Sequence, residues 1–288
     1  MNVVDAHHHL WDPAAGDYPW MAGPYEPLRR EYSITELEPH LTAGHVVATV
    51  VVQARADLAE TFDLLRIAAH HPAVAGVVGW VDLTSEKAAD MIRLLQSAPG
   101  GDRLVGLRHD ATSEPDPRWL VRPDVDANIR HLAEHGLTYD FEITAREIVA
   151  AELLAARHPT VRFIVDHVAK PPIADGWSTA WADGLHRLAA APNVWCKISG
   201  LVTEADWTHW SAEQFTPVVE HALAGFGVER LVFGSDWPVC ELAASYEQVL
   251  TATRECLEAA SLTPEQISAV MYRNALACYG LSAARSSE

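Results

Sequence analysis

The stretch Val3-Val4-Asp5-Ala6-His7-His8-His9-Leu10-Trp11-Asp12 decides the reading of the chain. Its β-branched start predicts a strand, and on a strand alternate side chains share a face. His7 and His9 therefore point one way and His8 the other. Two imidazoles converging at the end of a buried strand are a common beginning of a metal or anion site. A chance run is the plainer alternative, since the chain holds 15 His in 288 residues. A residual affinity tag is a second one, but the run is short and passes directly into folded-looking sequence.

Similar apolar runs recur at 46–53, 74–83, 104–109, 137–143, 161–168, 194–199 and 230–235. With 3–9 they make eight. Several are apolar on both faces, as parallel strands covered by helices require. Amphipathic segments at 58–70, 86–96, 126–135, 145–157 and 216–226 alternate with them. Eight strands alternating with helices predict an α/β fold, a distorted (β/α)8 barrel. An open doubly wound sheet is the alternative, but no Gly-x-Gly-x-x-Gly follows the first run. Ser33 with Glu36, and Thr263 with Gln266, are spaced as capping boxes that open helices. The last helix should run over 264–279 and stop at Gly280. One barrel over 1–281 and a disordered tail over 282–288 are expected.

Composition excludes several classes. Lys+Arg 21 against Asp+Glu 39 gives a formal charge of -18, which argues against nucleic acid and anionic membrane as partners. The four cysteines are scattered without a CxxC pattern and are expected as small buried or half-buried residues rather than zinc ligands or a disulfide framework. No leader-like segment or membrane-length apolar run is present, so a cytoplasmic location is expected. Homo-oligomerisation stays open. Connections at 11–32, 111–124 and 169–181 are long and rich in Pro and aromatic residues. After barrel strands such loops sit at the catalytic face, as a lid, as a sugar-stacking wall or as local packing over the barrel mouth.

The expected strand ends carry reactive groups: Arg108 and His109, Tyr139 and Asp140, Asp166 and His167, Lys197 and Ser199, and Asp236 with Trp237. Ion pairing, core packing or helix capping could explain any one of them. It is harder to explain all of them so, because burying polar groups without a task is costly.

Taken with Gly-Leu-Arg108-His109, His167-x-x-Lys170-Pro171, Lys197-Ile-Ser199-Gly200 and Phe233-Gly-Ser-Asp236-Trp237-Pro238, the opening motif resembles the amidohydrolase superfamily. Within it, the chain is similar to the branch holding L-fucono-, L-rhamnono- and 2-pyrone-4,6-dicarboxylate lactonases. The resemblance spans nearly the whole chain. It implies His7, His9, His167 and Asp236 as metal-site positions. Lacking a strand-4 lysine to bridge two metals, the chain is expected to hold one divalent ion, zinc by ligand type, although some members of the branch use none. The implied reaction is water attack on a lactone, with Asp236 as base and then acid. His167 and Arg108 would assist; without a metal, His7 and His9 would join them in stabilising the oxyanion. His109, Lys197, Gln53, Trp11 and Trp237 are the expected substrate contacts. Few cations and many aromatic residues favour a small neutral aldonolactone, L-fuconolactone or a near relative. A zinc-dependent decarboxylase of an aromatic or muconate-type acid and a non-catalytic sugar-acid-binding barrel are the alternatives.

Overall fold

The computed structural model describes residues 1–176 and 178–281, so the expected tail over 282–288 lies outside the described residues. The eight apolar runs form eight strands: β1 (Val3–His8), β2 (Val46–Val52), β3 (Val74–Gly79), β4 (Leu104–Asp110), β5 (Thr138–Glu142), β6 (Arg162–Val165), β7 (Val194–Ile198) and β8 (Leu231–Phe233). All pair in parallel and in chain order. Beyond β8 the chain returns to β1. Asp236 N donates to His7 O at 2.8 Å and His9 N to Trp237 O at 2.6 Å. The ring is thereby closed at the end where the strands finish.

Helices follow the strands on the outside: α1 (Ile34–Ala43), α2 (Leu58–His70), α3 (Ala88–Ser97), α4 (Pro123–Glu134), α5 (Ile148–Arg157), α6 (Thr179–Ala189), α7 (Ala212–Phe226) and α8 (Tyr246–Ala259). Their apolar faces pack on the outer face of the barrel in one continuous core. A second cluster, with Val4, Val50, Ile164 and Val232 among its members, fills the barrel interior. It is closed by Cys278 and Tyr279 of α10 (Asn274–Tyr279), which follows α9 (Pro264–Ser268) through one π-helical turn. Gly280 ends this run in the left-handed region, at φ 65°. All four cysteines are free and buried, and no helix among the described residues is long and apolar enough to cross a membrane.

Some local expectations need revision. The third strand ends at Gly79 rather than near residue 83, because the Thr61 hydroxyl takes over the backbone of Trp80: it accepts from Trp80 N at 2.8 Å and donates to Trp80 O at 3.1 Å. The Thr263–Gln266 capping box forms. Ser33 makes no side-chain cap; Glu36 is instead engaged by Arg30 through two bonds of 2.9 and 2.6 Å.

Strict alternation does not hold along β1 either. Asp5 pairs with Thr49 but His8 with Val51, so β1 carries one extra residue between these points. Val4 and Ala6 face the barrel interior. After the bulge His7 and His9 face inward, while Asp5 and His8 face away. Asp5 is bonded by Ser235 and Tyr246, and His8 by Thr49.

Candidate active site

The bulge in β1 and the closure onto the segment after β8 bring three groups together. His7 Nε2 and His9 Nε2 lie 3.1 Å apart. Asp236 Oδ1 stands 3.7 Å from the first and 3.5 Å from the second. His9 Nδ1 faces the Val52 carbonyl at 2.8 Å. A carbonyl only accepts, so Nδ1 carries the proton and Nε2 presents its lone pair to the site. Burial holds His7 well below the ordinary imidazole range against the opposing pull of Asp166, with Lys197 adding to the effect. Two imidazoles and a carboxylate, all buried, suit a divalent cation.

His167 arrives by a different device. After β6 the chain does not continue as a strand: His167, Val168, Ala169 and Lys170 take φ of 53°, 52°, 57° and 49°. Four successive left-handed residues without a glycine are costly, by about 1–2 kcal/mol each, and such strain concentrates at functional sites. Lys170 N closes the turn on His167 O at 2.8 Å, and Trp181 Nε1 donates to Val168 O at 2.8 Å. The turn aims both His167 and Lys170 into the barrel mouth. Ser199 Oγ meets His167 Nδ1 at 2.9 Å, which leaves Nε2 for the site, and the ring lies 4.5 Å from that of His7.

Beneath these groups is a buried ionic layer. Lys197 is fully buried, with its ammonium 2.6 Å from Asp140 Oδ2, 2.7 Å from Asp166 Oδ1 and 3.1 Å from His7 Nδ1. Burial lowers its pKa, but the two carboxylates outweigh this and raise it, so the ammonium stays charged. His7, Asp166 and His167 form a second trio spaced as for a metal. The Lys197 ammonium already meets two of its three members, Asp166 and His7, and so places an internal cation beside it.

Above lies a cavity of about 490 Å³ at the strand ends. His9, Gln53, Arg108, His109, His167 and Asp236 reach its wall, so six of the expected residues gather there. Arg108 is heavily engaged: Nη1 lies 3.2 Å from Asp166 and 3.1 Å from Glu142, and Nη2 donates to the Gln53 carbonyl. His109 is stacked on Trp119 at 3.9 Å, with Trp80 on one nitrogen and Glu114 on the other. Both ring nitrogens are thereby engaged within the protein.

Three expected substrate contacts stand elsewhere. Lys197 is sealed below the cavity, as described. Trp11 donates its indole N–H to the carbonyls of Leu28 and Arg30 and packs on Tyr32. Trp237 is fully buried, donating to Glu241 and packed edge-on against Tyr32. The two tryptophans anchor the 11–32 loop; Trp20 and Tyr25 of the same loop form the cavity wall instead. The loop thus divides between local packing and cavity lining, by different residues.

Glu142, Lys170 and Glu204 line the cavity and were not among the expected site residues. Lys170 Nζ sits 3.0 Å from Glu142 Oε1. Burial pushes Glu142 up, but Arg108 and Lys170 outweigh it and hold it well below the usual carboxylate range. Glu142 was findable, because it lies two residues beyond Asp140 on β5 and shares its face. Lys170 stood in a quoted motif without a role, and Glu204, on the loop after β7, gives no local signal.

Comparisons agree with this geometry. An L-fucono-1,5-lactonase of Burkholderia multivorans is 36% identical over 288 residues, covering 96% of this chain and 96% of its own. One of Burkholderia ambifaria is 39% identical over 243 residues, covering 84% and 82%. A crystal structure of a Burkholderia multivorans amidohydrolase with bound Zn is 35% identical and superimposes with a TM-score of 0.92 over 98% of this chain and 100% of that one. The amidohydrolase family model matches residues 4–281. The chain belongs to the amidohydrolase family.

Proposed function

We propose that the protein hydrolyses a neutral aldonolactone, L-fucono-1,5-lactone or a close relative, to the aldonic acid. The reading is carried by the meeting of His7, His9 and Asp236, the last two of which reach the wall of one cavity that Trp20 and Tyr25 also line. The similar L-fucono-1,5-lactonases supply the substrate class.

In this reading Asp236 takes a proton from water as the water oxygen bonds to the lactone carbonyl carbon. The tetrahedral centre then collapses, the ring carbon–oxygen bond breaks, and Asp236 returns the proton to the departing ring oxygen. One lactone and one water give one hydroxy acid. Lys170 and the outer edge of Arg108 place positive charge beside the cavity, where a carbonyl oxygen gains negative charge. The Val52 carbonyl and Ser199 hydroxyl fix the ring orientations of His9 and His167. A lactone is reactive enough to need no Ser or Cys nucleophile, and the four thiols are buried away from solvent.

His7, His9 and Asp236, with His167 beside them, are the residues that would hold a divalent cation, and their nitrogen and carboxylate donors favour zinc. Such an ion, when bound, lowers the pKa of water or polarises a carbonyl. Because Lys197 already holds Asp166 and His7 of the neighbouring trio, and His7 is common to both trios, metal analysis of the purified protein should find about one zinc per chain rather than two.

A pH-indicator assay across L-fucono-, L-rhamnono- and L-galactono-lactones tests the activity. Acid release well above the spontaneous rate on one stereochemical subset is expected. Silence across the panel would overturn the lactonase reading and favour the decarboxylase.

A further inference from the structure

Each cation on the cavity wall is already committed. Arg55 pairs with Asp57 at 3.2 Å, Arg108 with Asp166 and Glu142, and Lys170 with Glu142. The wall acids are committed too, with one exception. Asp236 faces the two imidazoles, Glu142 the two cations, and Asp110 accepts from Thr112 and Ser113 to cap its own turn. Glu204 has neither a side-chain hydrogen bond nor an ion pair among the described residues, although it lines the cavity beside Lys170 and Thr203. Across the mouth, Tyr25 reaches the same space from the 11–32 loop and packs on Trp207 of the Glu204 loop at 5.7 Å.

We infer that Glu204 is a specificity-determining residue that accepts a substrate hydroxyl and turns away lactones bearing a carboxylate. This deepens the lactonase reading and rests on it. A cavity whose Arg and Lys side chains each already face a carboxylate, and whose Glu204 carboxylate faces none of them at ion-pair distance, attracts hydroxyl donors, because hydrogen bonds to charged groups are the stronger kind. A second negative charge brought beside Glu204 is repelled, and such repulsion is an effective way to reject a competitor.

The test uses Glu204→Gln and Glu204→Asp in the intact chain, with L-fuconolactone as the neutral substrate and D-glucaro-1,4-lactone as the charged one. In Glu204→Gln the preference for the neutral lactone, as a ratio of kcat/KM, should shrink about tenfold or more, chiefly through KM. Glu204→Asp keeps the charge and should keep most of the preference. Calorimetric binding of L-fuconate and D-glucarate provides a second arm that needs no turnover. Glu204→Gln should there gain in relative affinity for the more highly charged glucarate. Relative affinities unchanged within about twofold would overturn the role of Glu204, whatever the kinetics show. Wild-type protein that discriminates in binding yet hydrolyses no neutral lactone would overturn the lactonase reading and leave Glu204 as a charge filter.

Discussion

Asp236 stands in the left-handed region at φ 59°. Its backbone N–H is bonded to the His7 carbonyl, so its carboxylate is delivered to His7 and His9 by the same contact that closes the barrel. Asp236→Asn keeps the size and the backbone bond but removes the proton acceptor. Turnover should fall about 10³-fold, the middle of the range for general acid–base catalysis, with the melting temperature nearly unchanged. Initial rates alongside thermal denaturation check this; a folded variant with near-wild-type rates would remove Asp236 from its role. Arg108→Met should both raise KM and lower kcat. The cause would be less a lost substrate contact than the release of Glu142 and Asp166, which Arg108 holds in place. Unchanged kinetics in this variant would show that the two carboxylates keep their positions without it.

At the scale of elements, the left-handed turn after β6 depends on a neighbour. Gly200 has φ 64°, and a Cβ there would lie 2.5 Å from His167 Nδ1. Gly200→Ala combines an unfavourable backbone conformation with a collision against a site imidazole. A displacement near 1 Å typically costs about 10²-fold in rate, so activity should drop by that order while the barrel persists by circular dichroism. Wild-type kinetics would mean that the β7 loop yields without moving His167. The same elements show what the sequence could disclose. The eight strands were legible because parallel strands buried on both faces read as continuous apolar runs, and the ends of β1 and β8 announced themselves by His and Asp. The β1 bulge and the left-handed turn were not legible. Both break the local rule of alternation, and both depend on partners distant in sequence, such as Thr49, Trp181 and Gly200. Depth was illegible as well. Alternation places Lys197 on the inward face, but whether an inward side chain meets substrate or the layer below depends on how the strands are staggered.

Across the whole molecule, a line of polar side chains runs through the apolar barrel interior and joins the site floor to the C-terminal plug. Tyr279 of α10 donates to Asp140 at 2.6 Å, Asp140 faces Lys197, Lys197 faces Asp166, and Asp166 meets both Arg108 and His7. The last helix thus supports the site floor through fully buried charges. Burial raises Asp140, whereas Asp166, despite the same burial, is held well below the usual range by Lys197, His7 and Arg108. Lys197→Met would leave two buried carboxylates short of their shared cation. Breaking a buried pair in this way costs about 3–5 kcal/mol, to be measured as a lower denaturant midpoint. Tyr279→Phe removes one neutral donor to a charged acceptor and should cost about 1.5–3 kcal/mol. Because both side chains meet Asp140, their effects should not add. Once Lys197 is gone, protonation of Asp140 becomes the cheaper state, and the Tyr279 bond loses its charged acceptor. The double variant should therefore be less destabilised than the sum of the two singles. Strict additivity would show that the plug and the site floor are independent, and that the column carries no coupling between the C-terminal helix and His7.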